Sequence, residues 1–324
     1  MGRSHNRLDP DLIYSLYTGG FKSQLVRIAL LIDVFTPLAH GPLDIPSLAK
    51  MCSCDEDGIG ILLDYLTSLG LLVKEKARYR LTPIAEAFLV KDKKTYAGGW
   101  LLMETDPEFW KHVHDRIKGK VVSYEDVPWF QDAMLESYRE SRIAQSLEMW
   151  RLAGFVPGLQ SRLRILDLGS GCAIKSFALA QEDSNIQVTC VDSKEVLEIA
   201  QDLAKRMHIE SQVVFHPDDI LHYDFENESY EAVLLGQITD YFKREQNKKL
   251  FRHIYNTLVT GGTLIVDAPM PKDVSEESIA LVSMLTWSLS GGRAYSFSDY
   301  EKWLSDIGFR QIKRLGDDLL YATK

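Results

Sequence analysis

A glycine turn and the acidic residues around it are the part of this chain whose residue types and spacing could bind a ligand. An apolar run from Leu163 to Leu168 contains Asp167 and is followed by Gly169, Ser170 and Gly171. This pattern is typical of a buried parallel strand that ends in a tight turn before a helix. Glycines let the backbone approach a bound molecule closely, and free N–H groups at a helix start favour an electron-rich partner. Glycine pairs also occur in ordinary turns, so this turn alone does not establish a binding site.

Two more acids, Asp192 and Asp219, follow the next two predicted strands. In an open parallel sheet, ligands bind outside the carboxyl ends of the strands, where the strand order reverses. Asp192 comes about 20 residues after the glycine turn, the spacing at which a carboxylate can accept both hydroxyls of a ribose. A solvated surface position explains each acid taken singly. Together with Asp167, they predict a nucleoside ligand.

The sequence narrows the choice of nucleoside. A dinucleotide-binding turn has a third glycine where this chain has Ile174, so pyrophosphate binding is disfavoured but stays open. S-adenosylmethionine carries instead an amino-acid group and a sulfonium cation. Asp167 could hold its ammonium group directly or through water, while backbone N–H groups bind its carboxylate.

The elements that must position these residues alternate between strand and helix. This alternation predicts an open, mostly parallel sheet with helices on both faces. The strands are predicted over 163–168, 187–191, 212–215, 230–235 and 263–266, and the helices over 174–180, 195–207 and 245–258. Gly261 and Gly262 are expected to lead into the fifth strand. Residues 308–313 and 319–323 are expected to form a terminal antiparallel hairpin.

The region before this sheet has the element order of a winged-helix domain. We predict a helix over 11–38 with a break at Gly19–Gly20, helices over 46–51 and 55–70, strands over 71–74 and 79–81, and a helix capped by Thr82. Winged helices often bind DNA, but the helix that would enter the major groove begins Asp55-Glu56-Asp57 and would face phosphates with like charge. A packing or dimerisation role is favoured, although the wing contains Lys74, Lys76, Arg78 and Arg80.

The residues between these regions are predicted to be mostly helical and are rich in aromatic side chains. Such side chains could line an apolar substrate pocket, but helical aromatic stripes are more often core. His112 and His114 point to different sides of a helix, so a shared metal ion is not expected. The expected domains are 1–95, a winged-helix domain; 96–158, a helical linker that lines a pocket; and 159–324, a Rossmann-like domain.

The composition is that of an ordinary protein of about two domains, with 324 residues, 45% apolar and 26% charged, and a net charge of −9. This charge argues against nucleic acid or an anionic membrane as the main partner and favours a small molecule. No apolar run reaches the roughly 20 residues of a membrane-spanning helix. Residues 1–11 are too polar for a secretory signal, so a cytoplasmic location is expected. The 4 cysteines fit neither a disulfide framework nor a zinc site, and we predict no metal site.

Several motifs, in their order along the chain, resemble those of class I S-adenosylmethionine-dependent methyltransferases. The resemblance is to the small-molecule O-methyltransferases with an N-terminal winged-helix dimerisation domain. In the first region it rests on 29–35 (ALLIDVF), 62–72 (LLDYLTSLGLL) and 79–83 (YRLTP). In the second it rests on 166–171 (LDLGSG), Val191-Asp192, Asp219-Ile220, 291–295 (GGRAY), Trp303-Leu304 and Gly308-Phe309. The family implies a Rossmann-like methyltransferase sheet, with the first domain forming a homodimer that helps to close the substrate pocket.

Carried over residue by residue, the resemblance implies a cofactor site for S-adenosyl-L-methionine at the glycine turn and the acidic strand ends. It places Gly169, Ser170 and Gly171 at the methionine part, Asp192 and the adjacent Ser193 at the ribose, Asp219 and Ile220 at the adenine, and Gln237 near the methionine end.

The chain departs from the family at the base that deprotonates the acceptor. Members of the family usually have a histidine after the fourth strand, and this chain has Asp240 there in one alignment and Gly236 in another. Of the two acids that orient this histidine, one falls at Asp267 and the other is replaced by Ala294. Asp240 could act as the base or could cap the helix that begins near Glu245; the sequence leaves both open.

We therefore expect an enzyme that transfers a methyl group from S-adenosylmethionine to a small, aromatic or polycyclic acceptor. A hydroxyl is the leading acceptor, with a carbon, nitrogen or sulfur atom open because the histidine is absent. One alternative is a cofactor-binding enzyme of altered chemistry, such as a decarboxylation or a rearrangement. Another is a winged-helix DNA-binding regulator.

Overall fold

A computed structural model describes residues 10–91, 93, 95–120, 140–159, 162–224, 227, 229–270, 276–316 and 318–324. The chain divides into two units, Met1–Trp110 and Lys111–Lys324. The three-part division expected from the sequence, with boundaries after 95 and 158, stays a prediction. Of the aromatic residues noted in the linker, Tyr124, Trp129, Phe130 and Tyr138 lie outside the described residues.

The first unit consists of helices and a small antiparallel sheet. Its helices are α1 (Pro10–Leu31), α2 (Phe35–Leu38), α3 (Ile45–Cys52), α4 (Glu56–Ser68), α5 (Pro83–Phe88) and α6 (Gly98–Glu104). Its strands β1 (Leu43–Asp44), β2 (Leu72–Glu75) and β3 (Arg78–Leu81) lie in the order β1-β3-β2. Helices α3 and α4 followed by the β2–β3 hairpin match the predicted elements.

Short polar side chains cap α3, α4 and α5, and the caps of α4 and α5 were predicted. The Asp55 carboxylate accepts the N–H of Gly58 at 2.8 Å and caps α4, and Thr82 caps α5, whose first residue is Pro83. Asp44 caps α3 in the same way, accepting the N–H of Ser47. These caps fix where each helix starts and therefore which face packs inward. The core beneath them contains Phe35, Leu48, Leu63, Leu66 and Tyr79, all fully buried.

The predicted break at Gly19–Gly20 is wrong, because α1 is continuous from Pro10 to Leu31. A glycine in a helix costs only about 1 kcal/mol relative to alanine, which a helix of this length tolerates. The chain leaves the helix instead at Asp33, whose φ of 57° lies in the left-handed region. Strand β1 was not predicted, since two residues are too short for a periodic signal.

The second unit is an α/β domain. Its helices are α7 (Pro107–Ile117, from Lys111 onward), α8 (Glu140–Leu152), α9 (Ile174–Glu182), α10 (Lys194–Met207), α11 (Arg244–Thr257), α12 (Glu276–Ser290) and α13 (Phe297–Ile307). Its strands are β4 (Leu163–Leu168), β5 (Ile186–Asp192), β6 (Val213–Pro217), β7 (Tyr230–Gly236), β8 (Leu258–Asp267), β9 (Arg310–Arg314) and β10 (Leu319–Thr323). They form one sheet of 7 strands in the order β6-β5-β4-β7-β8-β10-β9.

The sheet topology confirms the predicted fold class. Strands β4 to β8 pair in parallel, and the terminal β9–β10 hairpin is antiparallel, with β10 pairing against β8. The chain moves outward from β4 to one edge through β5 and β6, then returns to β7 on the other side. The strand order therefore reverses between β4 and β7. The glycine turn follows β4, and the segment after Gly236 follows β7, so both lie at this reversal.

Apolar side chains cover both faces of this sheet, which explains the nearly continuous apolar runs of β4, β7 and β8. One face packs against Trp150 and Phe177, and the other against Phe251, Tyr300 and Trp303. In no described part of the chain is there a helix with the length and hydropathy required to span a membrane.

One expectation for this unit is corrected, and two helices were not predicted. Gly261 and Gly262 do not precede the fifth strand but lie inside β8, which starts at Leu258. The pairing of β8 with β7 is irregular between Tyr230 and Ala232, and Gly261 has a φ of 79° there. The two glycines therefore lie in a local bulge of β8 instead of leading into the strand. Helices α12 and α13 were not predicted.

Candidate active site

The glycine turn connects β4 to α9 through left-handed backbone. Gly169 and Gly171 have φ values of 63° and 57°, and Ala173 has a φ of 57°. The N–H of Gly169 donates to the carbonyl of Val191 at 2.9 Å, which ties the turn to β5. A Cβ at position 169 would lie 2.6 Å from Cγ1 of Ile238, so this position needs glycine both for its backbone and for its neighbour.

Asp192 joins the ends of two strands. One carboxylate oxygen accepts the N–H of Gly171 at 2.8 Å, and the other accepts the N–H of Ser193 at 2.7 Å. Burial raises the pKa of Asp192, and the two N–H groups oppose that rise. A carboxylate offers about four acceptor positions. About two therefore remain for hydroxyl groups of a ligand, which fits the predicted ribose site.

Asp167 is buried in β4 and is 2% exposed. The hydroxyl of Ser176, in the first turns of α9, donates to its Oδ2. Burial raises the pKa of Asp167 to about 7, against the lowering effects of Ser176 and the nearby Lys175. The carboxyl therefore lies under the glycine turn, while its contact with an ammonium group stays a prediction.

Replacing Asp167 with asparagine is expected to stabilise the protein at pH 8 by about 2–4 kcal/mol and to have little effect at pH 4. Because burial raises the folded-state pKa above that of an unfolded aspartate, Asp167 favours folding while it is protonated. That contribution is lost as the pH rises from about 4 to about 7. Denaturant unfolding of both proteins across this pH range measures the difference.

Asp183→Asn is a control, because the contribution of Asp183 to folding stability changes with pH in the opposite direction. Backbone N–H groups of Asn185 and Gly158 lower the pKa of this exposed carboxyl. Its stabilising contribution is present above the unfolded pKa and lost as the pH falls. A stability gain at pH 8 for both variants, or for neither, would contradict the role given to the burial of Asp167.

Asp219 and Ile220 follow β6, beside Asp192. The N–H of Asp218 donates to the Asp192 carbonyl at 3.1 Å, which brings the two strand ends together. The Asp219 carboxylate is exposed, accepts the N–H of Leu221 and lies 2.7 Å from Nδ1 of His222. Ile220 is buried in the core below. Their contact with adenine stays a prediction.

Asp240 lies in a single 3-10 turn, Thr239–Tyr241, after β7. The turn is held on both sides: the Thr239 hydroxyl lies 2.7 Å from that of Tyr300, and Asn247 Nδ2 donates to the Thr239 carbonyl at 2.7 Å. Asp240 is 4% exposed, and among the residues that the structure describes its Oδ1 has no hydrogen-bond partner. Burial raises its pKa to about 6.

The suggestion that Asp240 caps a helix is wrong. Helix α11 starts at Arg244, and its N-cap is Lys243, whose N–H donates to the side chain of Gln246 at 2.9 Å. The Asp240 carboxylate takes no part in this cap. Gly292 packs directly on the Asp240 turn, since a Cβ there would lie 2.5 Å from the carbonyl carbon of Tyr241 and closer still to the Asp240 carbonyl oxygen.

Lys175 was not singled out from the sequence. Its Nζ lies 2.6 Å from Oδ2 of Asp267 at the end of β8, and both side chains are only partly exposed. Gly236 provides the space, because a Cβ there would lie 3.0 Å from Nζ. The N–H of Gln237 donates to the Asp267 carbonyl at 2.6 Å. The sequence did contain a signal for Lys175, because it is a charged residue between apolar and small residues at the start of α9.

The predicted residues thus meet at one edge of the sheet. Gly171 contacts Asp192, Gly169 lies against Ile238, and Gln237 contacts Asp267. Ser170 provides a further polar group, with a buried hydroxyl that has no partner among the described residues. This edge combines glycines, free acceptor positions and an unpaired hydroxyl, as a polar nucleoside requires.

Comparison with known proteins identifies two domains in the chain. Residues 165–262 match the methyltransferase domain model, and residues 14–91 match the O-methyltransferase dimerisation domain model. The chain is an S-adenosylmethionine-dependent methyltransferase with an O-methyltransferase dimerisation domain before its catalytic domain. This methyltransferase is similar to the 3-hydroxy-5-methyl-1-naphthoate 3-O-methyltransferase of Streptomyces sahachiroi, with 27% identity over 94% of this chain and 90% of the relative.

Two further proteins are similar over nearly their whole length. The tetracenomycin polyketide synthesis 8-O-methyl transferase of Streptomyces glaucescens is 25% identical over 94% of this chain and 92% of its own. The crystal structure of human N-acetylserotonin methyltransferase in complex with S-adenosylmethionine covers 100% of this chain and 99% of its own, with a TM-score of 0.76 and 23% identity. The latter likeness shows the fold.

The chain is a methyltransferase, and S-adenosylmethionine is its cofactor. The residues at the sheet edge fit this cofactor, since the Asp192 carboxylate, which holds the glycine turn, retains acceptor positions for its ribose. Bound there, it supplies a methyl group already activated by a sulfonium cation. The role of each predicted cofactor-binding residue stays a prediction.

Proposed function

We propose that the methyltransferase methylates a hydroxyl of an aromatic or polycyclic acceptor, with Asp240 as the base. The observation that carries this proposal is the buried carboxyl of Asp240 beside the sheet edge, whose Oδ1 has no partner among the described residues and whose pKa is raised to about 6 by burial. A base with a pKa near the working pH suits the deprotonation of a hydroxyl. The naphthoate and tetracenomycin methyltransferases support the acceptor class by the compounds in their names.

The residues of the site would have separate roles. The glycine turn and Asp192 would hold the cofactor, which would supply the methyl group and leave as S-adenosylhomocysteine, and Asp240 would take the hydroxyl proton. Asp267 adds negative charge near Asp240, which favours the protonated form of that carboxyl, while Lys175 opposes this effect. Placement of the two reactants can account for about 7–11 kcal/mol of the barrier, and the base typically adds about 10²- to 10⁴-fold.

Incubation with methyl-labelled cofactor and a matched panel tests the function. The panel contains naphthols, naphthylamines, thionaphthols and polycyclic phenols. Label is expected in an aryl methyl ether, with amines and thiols turned over more slowly. Label on nitrogen, sulfur or carbon alone would overturn the hydroxyl assignment, and a product without label would indicate the altered chemistry, such as decarboxylation. A gel shift at physiological salt is expected to show no DNA binding, because the first turn of α4 carries Glu56 and Asp57.

We further propose that the first unit is a winged-helix domain that forms a homodimer, and that the enzyme is cytoplasmic. The match to the dimerisation model and the element order of α3, α4, β2 and β3 support the first point. Helix α1 exposes a row of large apolar side chains, as an interface helix would: Leu12, Ile13, Leu16, Tyr17 and Phe21. A monomeric mass in sedimentation equilibrium at micromolar concentration would contradict the homodimer.

A further inference from the structure

His112 carries a buried hydrogen-bond acceptor that the fold leaves unused. The side chain is 5% exposed, and its Nε2 lies 2.9 Å from the carbonyl oxygen of Ser288 in α12. A carbonyl oxygen only accepts, so Nε2 carries the proton and Nδ1 keeps a lone pair. Within the described part of the chain, Nδ1 has no partner.

Arg116 presents an unused donor one helical turn further along α7. Its guanidinium lies over the ring of Trp287, 5.8 Å from the ring centre, and its Nε is buried without a partner among the described residues. Residues four apart in a helix lie on the same face. One face of α7 therefore offers an acceptor at His112 and a donor at Arg116. Buried polar groups are nearly always paired, so two neighbouring exceptions point to a missing ligand.

The same half of α12 contacts the turn that carries Asp240. The Ser290 hydroxyl donates to the Tyr241 carbonyl at 2.6 Å, and Gly292 packs on the Asp240 backbone. Trp287 and Ser288, which contact Arg116 and His112, precede Ser290 by two or three residues, a rise of about 3–5 Å along a helix. The turn that carries Asp240 and the pair on α7 thus adjoin one short stretch of α12. Leu281, Met284 and Trp287 add exposed apolar surface to that helix.

We propose that His112 and Arg116 bind a second oxygen-bearing group of the acceptor, away from the hydroxyl that is methylated. The chemistry that fits is a carbonyl or carboxylate oxygen that accepts from Arg116 Nε, next to an O–H that donates to His112 Nδ1. The acceptor is then an aromatic compound that carries such a group in addition to its reactive hydroxyl. This inference rests on the proposed function, and it names two positioning residues that set acceptor specificity.

Three matched acceptors test the proposal: a naphthol, the same naphthol with a hydroxyacetate side chain (a carboxylate next to an O–H), and the same naphthol with a hydroxyacetyl side chain (a ketone next to an O–H). The variants are His112→Leu, His112→Gln and Arg116→Met. For the substituted naphthols, the wild type is expected to have a KM about 10- to 100-fold below that for the plain naphthol. His112→Leu and Arg116→Met should remove this advantage by raising KM, with kcat and cofactor affinity little changed. His112→Gln, whose amide can donate to Ser288 and accept in place of Nδ1, should restore part of it.

His114→Leu is the matched control, because this exposed histidine lies on the same helix and contacts Asp115. It should behave as wild type. The carboxylate and ketone arms show which oxygen Arg116 prefers. Equal loss of kcat/KM for plain and substituted naphthols in His112→Leu and Arg116→Met would indicate a merely structural role and overturn the proposal, as would no loss for any acceptor.

Equilibrium binding separates the failure of this proposal from failure of the proposed function. Calorimetry with the three naphthols and S-adenosylhomocysteine present reports acceptor binding without turnover. Tighter binding of the substituted naphthols that depends on His112 and Arg116 would support the inference even if the methylated atom proved not to be oxygen. Equal binding of all three by the wild type would overturn it, whatever the labelled-cofactor panel shows.

Discussion

Replacing Asp240 with asparagine is expected to lower kcat about 10²- to 10⁴-fold for a weakly acidic phenol. Asparagine preserves the size of the side chain in its buried turn but cannot accept a proton. The wild type should lose activity below about pH 6, because the pKa of Asp240 is raised to about 6 by burial and the base must be ionised. The variant should lack this limb of the kcat/KM profile. Steady-state kinetics across pH 5–9 measure both effects.

The acidity of the acceptor gives an independent check. A nitrophenol that is already ionised at the assay pH needs no base, so Asp240→Asn should turn it over at nearly the wild-type rate. Asp306→Asn, on the exposed face of α13, is the control and should behave as wild type. An unchanged rate and pH profile with weakly acidic phenols would remove Asp240 from the chemistry. An equal loss for the ionised phenol would indicate a misplaced turn rather than a missing base.

Asp192→Ala is expected to weaken S-adenosylmethionine binding about 10²- to 10³-fold. Hydrogen bonds to a charged group contribute about 1.5–3 kcal/mol each, and each 1.4 kcal/mol is about tenfold in affinity. The variant also leaves the N–H groups of Gly171 and Ser193 without their carboxylate, which loosens the glycine turn. Isothermal titration with S-adenosylhomocysteine measures the affinity.

Asp202→Ala is the matched control, because this carboxylate is exposed on α10 and pairs only with the exposed Lys205 among the described contacts. It should bind the cofactor as the wild type does. Unchanged affinity of Asp192→Ala would show that the ribose does not bind at this strand end. A similar loss for both variants would trace the effect to net charge instead of to the site.

The sheet and the position of the candidate site could be predicted from the sequence because their signals are local. Strand β4 has the predicted bounds, because a strand buried on both faces reads as an apolar run. Asp167 stands out as an acid within that run. The turn glycines are required by left-handed backbone at Gly169 and Gly171. Asp192 ends β5 and Asp219 follows β6, and parallel strands bring their carboxyl ends together.

The rest of the site depends on contacts between distant parts of the chain. Lys175 meets Asp267, and His112 meets Ser288, through pairings that no local pattern encodes. Gly292 matched a family motif, but only the structure explains why glycine is needed there: the backbone of the Asp240 turn lies against it. Helix α12 was missed because apolar residues occur around much of its circumference, so it lacks the one-sided periodicity that marks a surface helix.

The buried carboxyls also change the proton inventory of the enzyme. The formal charge of −9 counts every acid as ionised. Asp167 and Asp240, with pKa values raised to about 7 and about 6 by burial, hold a fraction of a proton each near neutral pH. A cation brought beside such groups favours their ionised form. We therefore expect binding of the sulfonium cofactor at this edge to be coupled to proton release, with an apparent affinity that rises with pH in the range where these two carboxyls titrate.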